Sequence, residues 1–161
     1  MTIREASAND IDAIWEIFEK VVNDGDTFAF APGTSKESFL NLWFAPLMKT
    51  YVAVEDGQIS GSYFIKPNQP GLGAHIANCG YIVHPAARGK GTGGKMCKHS
   101  LGIAREQGYR GMQFNIVVST NTKAVELWKK LGFRTIGIIP GGFRHILLGY
   151  VDAYIMFREI D

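Results

Sequence analysis

The chain has 161 residues, 46% of them apolar and 20% charged, with a formal net charge of +2. This size suits a single domain over residues 1–161 with a substantial buried core. The small net charge excludes nucleic-acid binding by bulk electrostatics, and no apolar run is long enough to span a membrane. Cys79 and Cys97 lack the spacing of a zinc or redox motif, so the expected setting is cytoplasmic and reducing, with no metal.

Thr2 to Ala6 reads as a short strand. Ser7-Ala8-Asn9-Asp10 resembles a capping box, and Ile11, Ile14, Trp15, Phe18, Val21 and Val22 recur at helical spacing, predicting a helix to Asn23. Asp24 to Gly33 is a loop carrying Phe28 and Phe30, and Thr34 to Glu37 offers a second box for a helix through Phe44. Thr50–Glu55 and Gln58–Lys66 flank Asp56-Gly57, a hairpin signal. Strand His75–Val83 follows, then helix Gly93–Gln107, which ends before Gly108. Strand Gly111–Val118, helix Thr122–Leu131 with Gly132 as its stop, strand Phe133–Ile139, turn Pro140–Gly142 and strand Tyr150–Arg158 complete the chain. This order predicts an α/β fold, a mixed sheet with helices on both faces.

Between strand His75–Val83 and the next helix runs a glycine-rich, basic turn, His84 to Lys95. Pro85 cannot donate to a ladder, and the glycines permit a sharp turn and close approach of a ligand to the main chain. The first N–H groups of the helix lack partners, and its dipole favours an anion. With Arg88, Lys90 and Lys95 nearby, the turn is expected to bind phosphate.

Two frames fit it. Gly89 to Lys95 satisfies the G-x-x-x-x-G-K of a nucleotide P-loop, yet Met96 stands where a magnesium-binding Ser or Thr belongs. Strand Gly111–Val118 also ends in Ser119-Thr120 and not in a metal-binding Asp. The other frame, Arg88-x-x-Gly91-x-Gly93, resembles the acyl-CoA signature of the GNAT superfamily of N-acetyltransferases. Asn121 opening a helix, then Leu127-Trp128-Lys129-Lys130-Leu131-Gly132-Phe133, resembles that family's second signature. The element order is also the family's, and two motifs in order and in context carry more than either alone.

The resemblance implies a mostly antiparallel sheet with one splayed parallel pair, and acetyl-CoA as co-substrate. It implies that the pyrophosphate lies on Arg88, Gly89, Lys90, Gly91, Thr92, Gly93 and Gly94, and that the pantetheine arm pairs with Tyr81-Ile82-Val83 as an added strand. A backbone N–H in the splayed pair would polarise the thioester carbonyl. Asn121 and Asn115 can hydrogen-bond the pantetheine or steady the leaving group; equally they can be a helix cap and a strand-end polar group. Family members often use a Tyr as acid where this chain has Trp128, whose indole does not ionise at physiological pH. A thiolate can leave without full protonation. No carboxylate lies in His75–Val83, so the candidates for base are Tyr81, His75, His84, His145 or water relayed through Asn78, and none is assigned.

The same resemblance puts the acceptor between the first interhelical loop and the final strands. Phe28, Phe30 and Phe143 predict a small apolar pocket in which Arg144 can meet an acceptor carboxylate; the alternative is that these aromatics plug the core. Asn78-Cys79-Gly80-Tyr81 and Phe114 to Asn121 resemble fungal acetyltransferases that detoxify proline analogues, in which asparagines of these strands engage acceptor and cofactor. Thr27-Phe28 resembles the phosphinothricin-type enzymes. The expected activity is acetyl transfer to the primary or secondary amine of a small molecule, such as an amino acid or analogue, in a ternary complex, and a homodimer is compatible with it. Two competing readings are a CoA-binding sensor without turnover, suggested by Trp128 and the missing carboxylate, and P-loop nucleotide binding.

Overall fold

The helical spacing of the first amphipathic segment puts Ile14, Ile17, Phe18, Val21 and Val22 on one buried face of α1 (Ile11–Asn23) in a computed structural model covering residues 1–161. Just before it, the Asp10 carboxylate accepts from the Ser7 N–H at 2.7 Å and from Arg4 on both oxygens at 2.8 Å. The Arg4 guanidinium holds that carboxyl well below the usual range. Helix α2 (Lys36–Trp43) is capped by Ser35, whose hydroxyl accepts from the Ser38 N–H, so the start lies one residue later than the Thr34 box predicts.

The strands β1 (Thr2–Glu5), β2 (Lys49–Glu55), β3 (Gln58–Pro67), β4 (Ile76–Val83), β5 (Gly111–Val118), β6 (Arg134–His145) and β7 (Gly149–Glu159) form one seven-stranded sheet. Its order is β1-β2-β3-β4-β5-β7-β6, and every neighbouring pair is antiparallel except β4–β5. Pro140-Gly141-Gly142, expected as a turn, lies inside β6. There the register with β7 shifts between Ile139 and Phe143, and the Gly141 N–H donates to Asp152 at 3.0 Å. β6 is an edge strand, which tolerates a proline, and Gly141 at φ +59° absorbs the irregularity. The hairpin reverses only at Ile146–Leu148.

Alternation along the strands sends side chains to two buried layers. One lies under α3 (Thr92–Glu106) and α4 (Thr122–Lys130), where Met96, Cys97, Leu101, Ala104 and Val125 meet Tyr63, Ile65, Cys79, Met112 and Phe114. The other packs α1 and α2 on Val52, Phe64 and Ile82. β4 serves both layers, with Cys79 to one and Ile82 to the other. Gly80 is required between them: a Cβ there would come within 2.5 Å of the Phe64 ring and 3.4 Å of Phe28. No helix is long and apolar enough to cross a membrane.

Candidate active site

β4 and β5 pair only at Ile76–Gly111 and Ala77–Met112. Beyond those pairs they part, while β4 stays laddered to β3 as far as Gly61–Val83. The main-chain edge of β4 from Cys79 to Val83 therefore faces an open fork. At its apex the Asn78 side chain donates through Nδ2 to the Gln113 carbonyl at 2.9 Å, a side-chain tie where the ladder stops. On the far side the β5–β7 register also breaks, between Phe114 and Val117.

At the wide end of the fork the chain turns through Pro85–Ala87 and enters α3. Gly89 sits at φ +79° and Gly91 at φ +82°, the left-handed region that glycine adopts without strain. The Lys95 N–H bonds back to the Gly91 carbonyl at 3.0 Å, whereas the amides of Gly89, Gly91, Thr92, Gly93 and Gly94 bond to no backbone carbonyl before it. They form a cluster of unpaired donors at a helix N-terminus, suited to an anion. The Arg88 guanidinium reaches away from them and pairs with Asp24, beyond the end of α1, at 3.0 Å.

The side chains along the fork are mostly committed to the interior. The Tyr81 hydroxyl lies 2.7 Å from Ser100 Oγ and donates to Met112 Sδ at 3.7 Å, and burial raises its pKa well above the usual value. Burial also raises both thiols, Cys97 to about 12. Trp128 packs on Tyr81 and Phe114, with ring centroids 5.2 and 5.1 Å apart. Next to the fork, Asp26, Thr27, Thr120, Asn121, His145 and Leu148 line a cleft of about 220 Å³. Three segments build it: the α1–α2 loop, the β5–α4 junction and the β6–β7 tip. The tip is pinned to the loop by the Ile146 N–H, which donates to the Gly25 carbonyl at 3.1 Å.

Residues 12–133 match the Acetyltransferase (GNAT) family. The chain belongs to that family. A solved GCN5-related N-acetyltransferase from Kribbella flavida superposes with a TM-score of 0.93 at 42% identity, covering 98% of this chain and 96% of that one. The Salmonella typhimurium acetyltransferase yncA, solved with acetyl-CoA, superposes with a TM-score of 0.87 at 25% identity, over 100% of this chain and 94% of that one. The Schizosaccharomyces pombe N-acetyltransferase aca1 is 43% identical over 98 residues, which are 59% of this chain and 46% of the yeast protein. The chain thus spans about half the length of that relative.

Within this acetyltransferase fold the sequence-predicted residues fall into groups. Tyr81, Ile82 and Val83 lie on the open edge of β4, and Arg88 to Gly94 form the turn beside it. The Tyr81 side chain, a candidate base, faces the core, so the residue meets the fork through its main chain. Asn121 is the N-cap of α4: its Oδ1 accepts from the Ala124 N–H at 3.3 Å while the residue also lines the cleft. Asn115 is exposed on β5, and its Oδ1 accepts from Gln113 Nε2 at 2.9 Å. His84 Nδ1 accepts from the Ala86 N–H, and His145 Nδ1 from the N–H groups of Leu147 and Leu148. An accepting nitrogen carries no proton, so each neutral ring keeps its hydrogen on Nε2 and presents a donor there, not a basic lone pair. His75 donates through Nδ1 to the Leu72 carbonyl near the start of β4.

Phe28, Phe30 and Phe143, expected to form an apolar acceptor pocket, do not line this cleft. Phe28 stacks with Phe30 and approaches Trp43 at 5.8 Å, Phe30 lies 5.5 Å from Phe18, and Phe143 is buried. Phe28 and Phe30 are half-buried and pack against the edge of the core under α1 and α2, with Phe28 beside Gly80 of β4. Asn78 is buried at the fork apex, and Arg144 is exposed on β6; neither lines the cleft. What lines it is polar apart from Leu148: Asp26 and Thr27 come from the interhelical loop that the family resemblance points to, whereas Thr120 carries no motif that marks it in the sequence.

Proposed function

We propose that the protein transfers the acetyl group of acetyl-CoA to the primary or secondary amine of a small molecule, by direct attack in a ternary complex. One observation carries this reading: an open strand edge on β4 runs directly into a turn whose amides lack partners. That combination suits a ligand with a peptide-like arm and a pyrophosphate. The amides of Gly89, Gly91, Thr92, Gly93 and Gly94 would donate to the phosphates, with Lys90 adding screened attraction. The main chain of Tyr81, Ile82 and Val83 would pair with the amides of the pantetheine arm, and a β4 N–H in the fork would stabilise negative charge on the carbonyl oxygen under attack.

Asn121, through Nδ2, and Asn115 would steady the arm or the departing sulfur. Trp128 supplies no proton, so the thiolate leaves unprotonated. The raised pKa of the buried Tyr81 hydroxyl leaves it unsuited to act as base, and the Nδ1 atoms of His84 and His145 are engaged by backbone N–H groups. The amine loses its proton to water in the polar cleft.

The test is calorimetric titration of the protein with acetyl-CoA, followed by thiol release in the presence of an amine panel. Binding with acceptor-dependent thiol release is expected. Tight binding with no release on any amine would favour a sensor, the reading that Trp128 supports. Magnesium-dependent ATP binding without CoA binding would overturn both.

A further inference from the structure

We propose that Asp26 and Thr27 hold the acceptor's amino group, so that the site selects small cationic amines through the α1–α2 loop; this rests on the acetyltransferase reading above. Native proteins pair nearly all their buried polar atoms, and the exceptions call for an explanation. Asp26 Oδ1 and Thr27 Oγ1 are two such exceptions, both buried and both without a hydrogen-bond partner. They belong to adjacent residues on the wall of the same cleft. The neighbouring carboxylate of that loop, Asp24, is paired with Arg88. Asp26 has no such ion pair, and no Lys or Arg lines the cleft to supply one.

A desolvated carboxylate oxygen with no donor is costly, and the N–H groups of an ammonium or amine supply the missing donors. The hydroxyl of Thr27 adds a second acceptor beside the first. At about 220 Å³ the cleft is smaller than the roughly 300–1,000 Å³ of pockets for drug-sized ligands, which restricts the acceptor to a small molecule. The opposite wall, Thr120 and Asn121 at the end of β5, places this cleft next to the fork where the acetyl group would be presented. Asp26 thus acts as a recognition and orientation residue. Its carboxylate accepts N–H bonds from the amine and keeps the nitrogen in the cleft.

The experiment compares wild type with Asp26→Asn and Thr27→Val, using the twenty amino acids and short alkylamines as probes. The best wild-type acceptor then serves for steady-state kinetics, with the acetyl-CoA affinity and melting temperature measured in parallel. Asp26→Asn is expected to raise KM for the amine about tenfold or more, the loss of one charged hydrogen bond. Its acetyl-CoA affinity and its melting temperature should be unchanged. Thr27→Val should give a smaller rise in KM, and Asp26→Glu should recover part of the loss.

An unchanged KM in Asp26→Asn overturns the inference. A lowered melting temperature with normal KM shows a structural role and overturns it equally. It also fails if the wild type binds acetyl-CoA but no probe is acetylated or raises its melting temperature. Absence of acetyl-CoA binding in the wild type is a different result, and removes the acetyltransferase reading itself.

Discussion

The two ligand-facing regions beside the fork are built from opposite materials. The turn before α3 offers main-chain donors and depends on side chains chiefly through their absence, as at Gly89 and Gly91. The cleft under the α1–α2 loop offers side-chain acceptors, Asp26 and Thr27, contributed against a wall from two distant segments. Under the proposed function, one region takes the anionic end of acetyl-CoA and the other takes the amine. The difference teaches that a shared ligand can be held by backbone geometry, while a particular one needs specific side chains brought from several parts of the chain.

The largest expected effect breaks the turn and leaves the cleft intact. Gly93→Glu should weaken acetyl-CoA binding by about 100-fold or more, near 2.7 kcal/mol, in a calorimetric titration. The fold should survive, since a Cβ at Gly93 meets Leu127 and Val83 at the ordinary contact distances of 3.7 and 3.8 Å. Unchanged affinity would detach the turn from the cofactor. Gly91→Glu should weaken binding too, with an added backbone cost of about 1–2 kcal/mol for forcing φ +82° on a residue with a side chain.

A middle effect is expected at the junction of the two regions. Asn78→Ala removes the tie to the Gln113 carbonyl in a buried place and should lower stability by about 1–3 kcal/mol in urea denaturation. If it instead left stability unchanged and abolished only amine turnover, Asn78 would belong to the acceptor site, and the division between the regions would move.

The smallest effect lies behind the turn, on the buried side of α3. His99 is held below its usual pKa by burial, with its Nδ1 2.7 Å from the Tyr63 hydroxyl. The unfolded chain therefore binds a proton there more readily than the folded one. Stability from this group is complete above about pH 6.5 and is lost as pH falls through the lower folded value. Replacing His99 by Gln should flatten the acid side of the stability profile while leaving acetyl-CoA affinity unaltered at pH 7.5. A changed affinity would mean that the turn and the core beneath α3 are coupled.

The element order was legible in the residues because helical and strand periodicities record which face is buried. The turn was legible for a related reason. Glycines between a strand and a helix specify backbone conformation locally, and unpaired amides follow from any helix start. Asn121 was read both as cap and as ligand, and its cap bond to Ala124 is the part that local sequence dictates. The errors have local causes as well. Pro140-Gly141-Gly142 has turn composition, but pairing with β7 on a sheet edge converts it to an irregularity within a strand. The packing of Phe28 and Phe30 was not legible in the same way: they sit in a segment with loop signals, and only the neighbouring rings of Trp43 and Phe18 show that they lean on the core.

By itself, then, the sequence determined the fold class, the family resemblance and the glycine turn with its unpaired amides, all of which depend on patterns short enough to be read along the chain. Tertiary structure alone decided where β4 and β5 part, that Arg88 turns to Asp24, which histidine nitrogens are engaged by backbone N–H groups, and that Asp26 and Thr27 meet Thr120, Asn121 and His145 around one cleft. These depend on distances and hydrogen-bond partners between residues far apart in the chain, and no spacing along the chain encodes them.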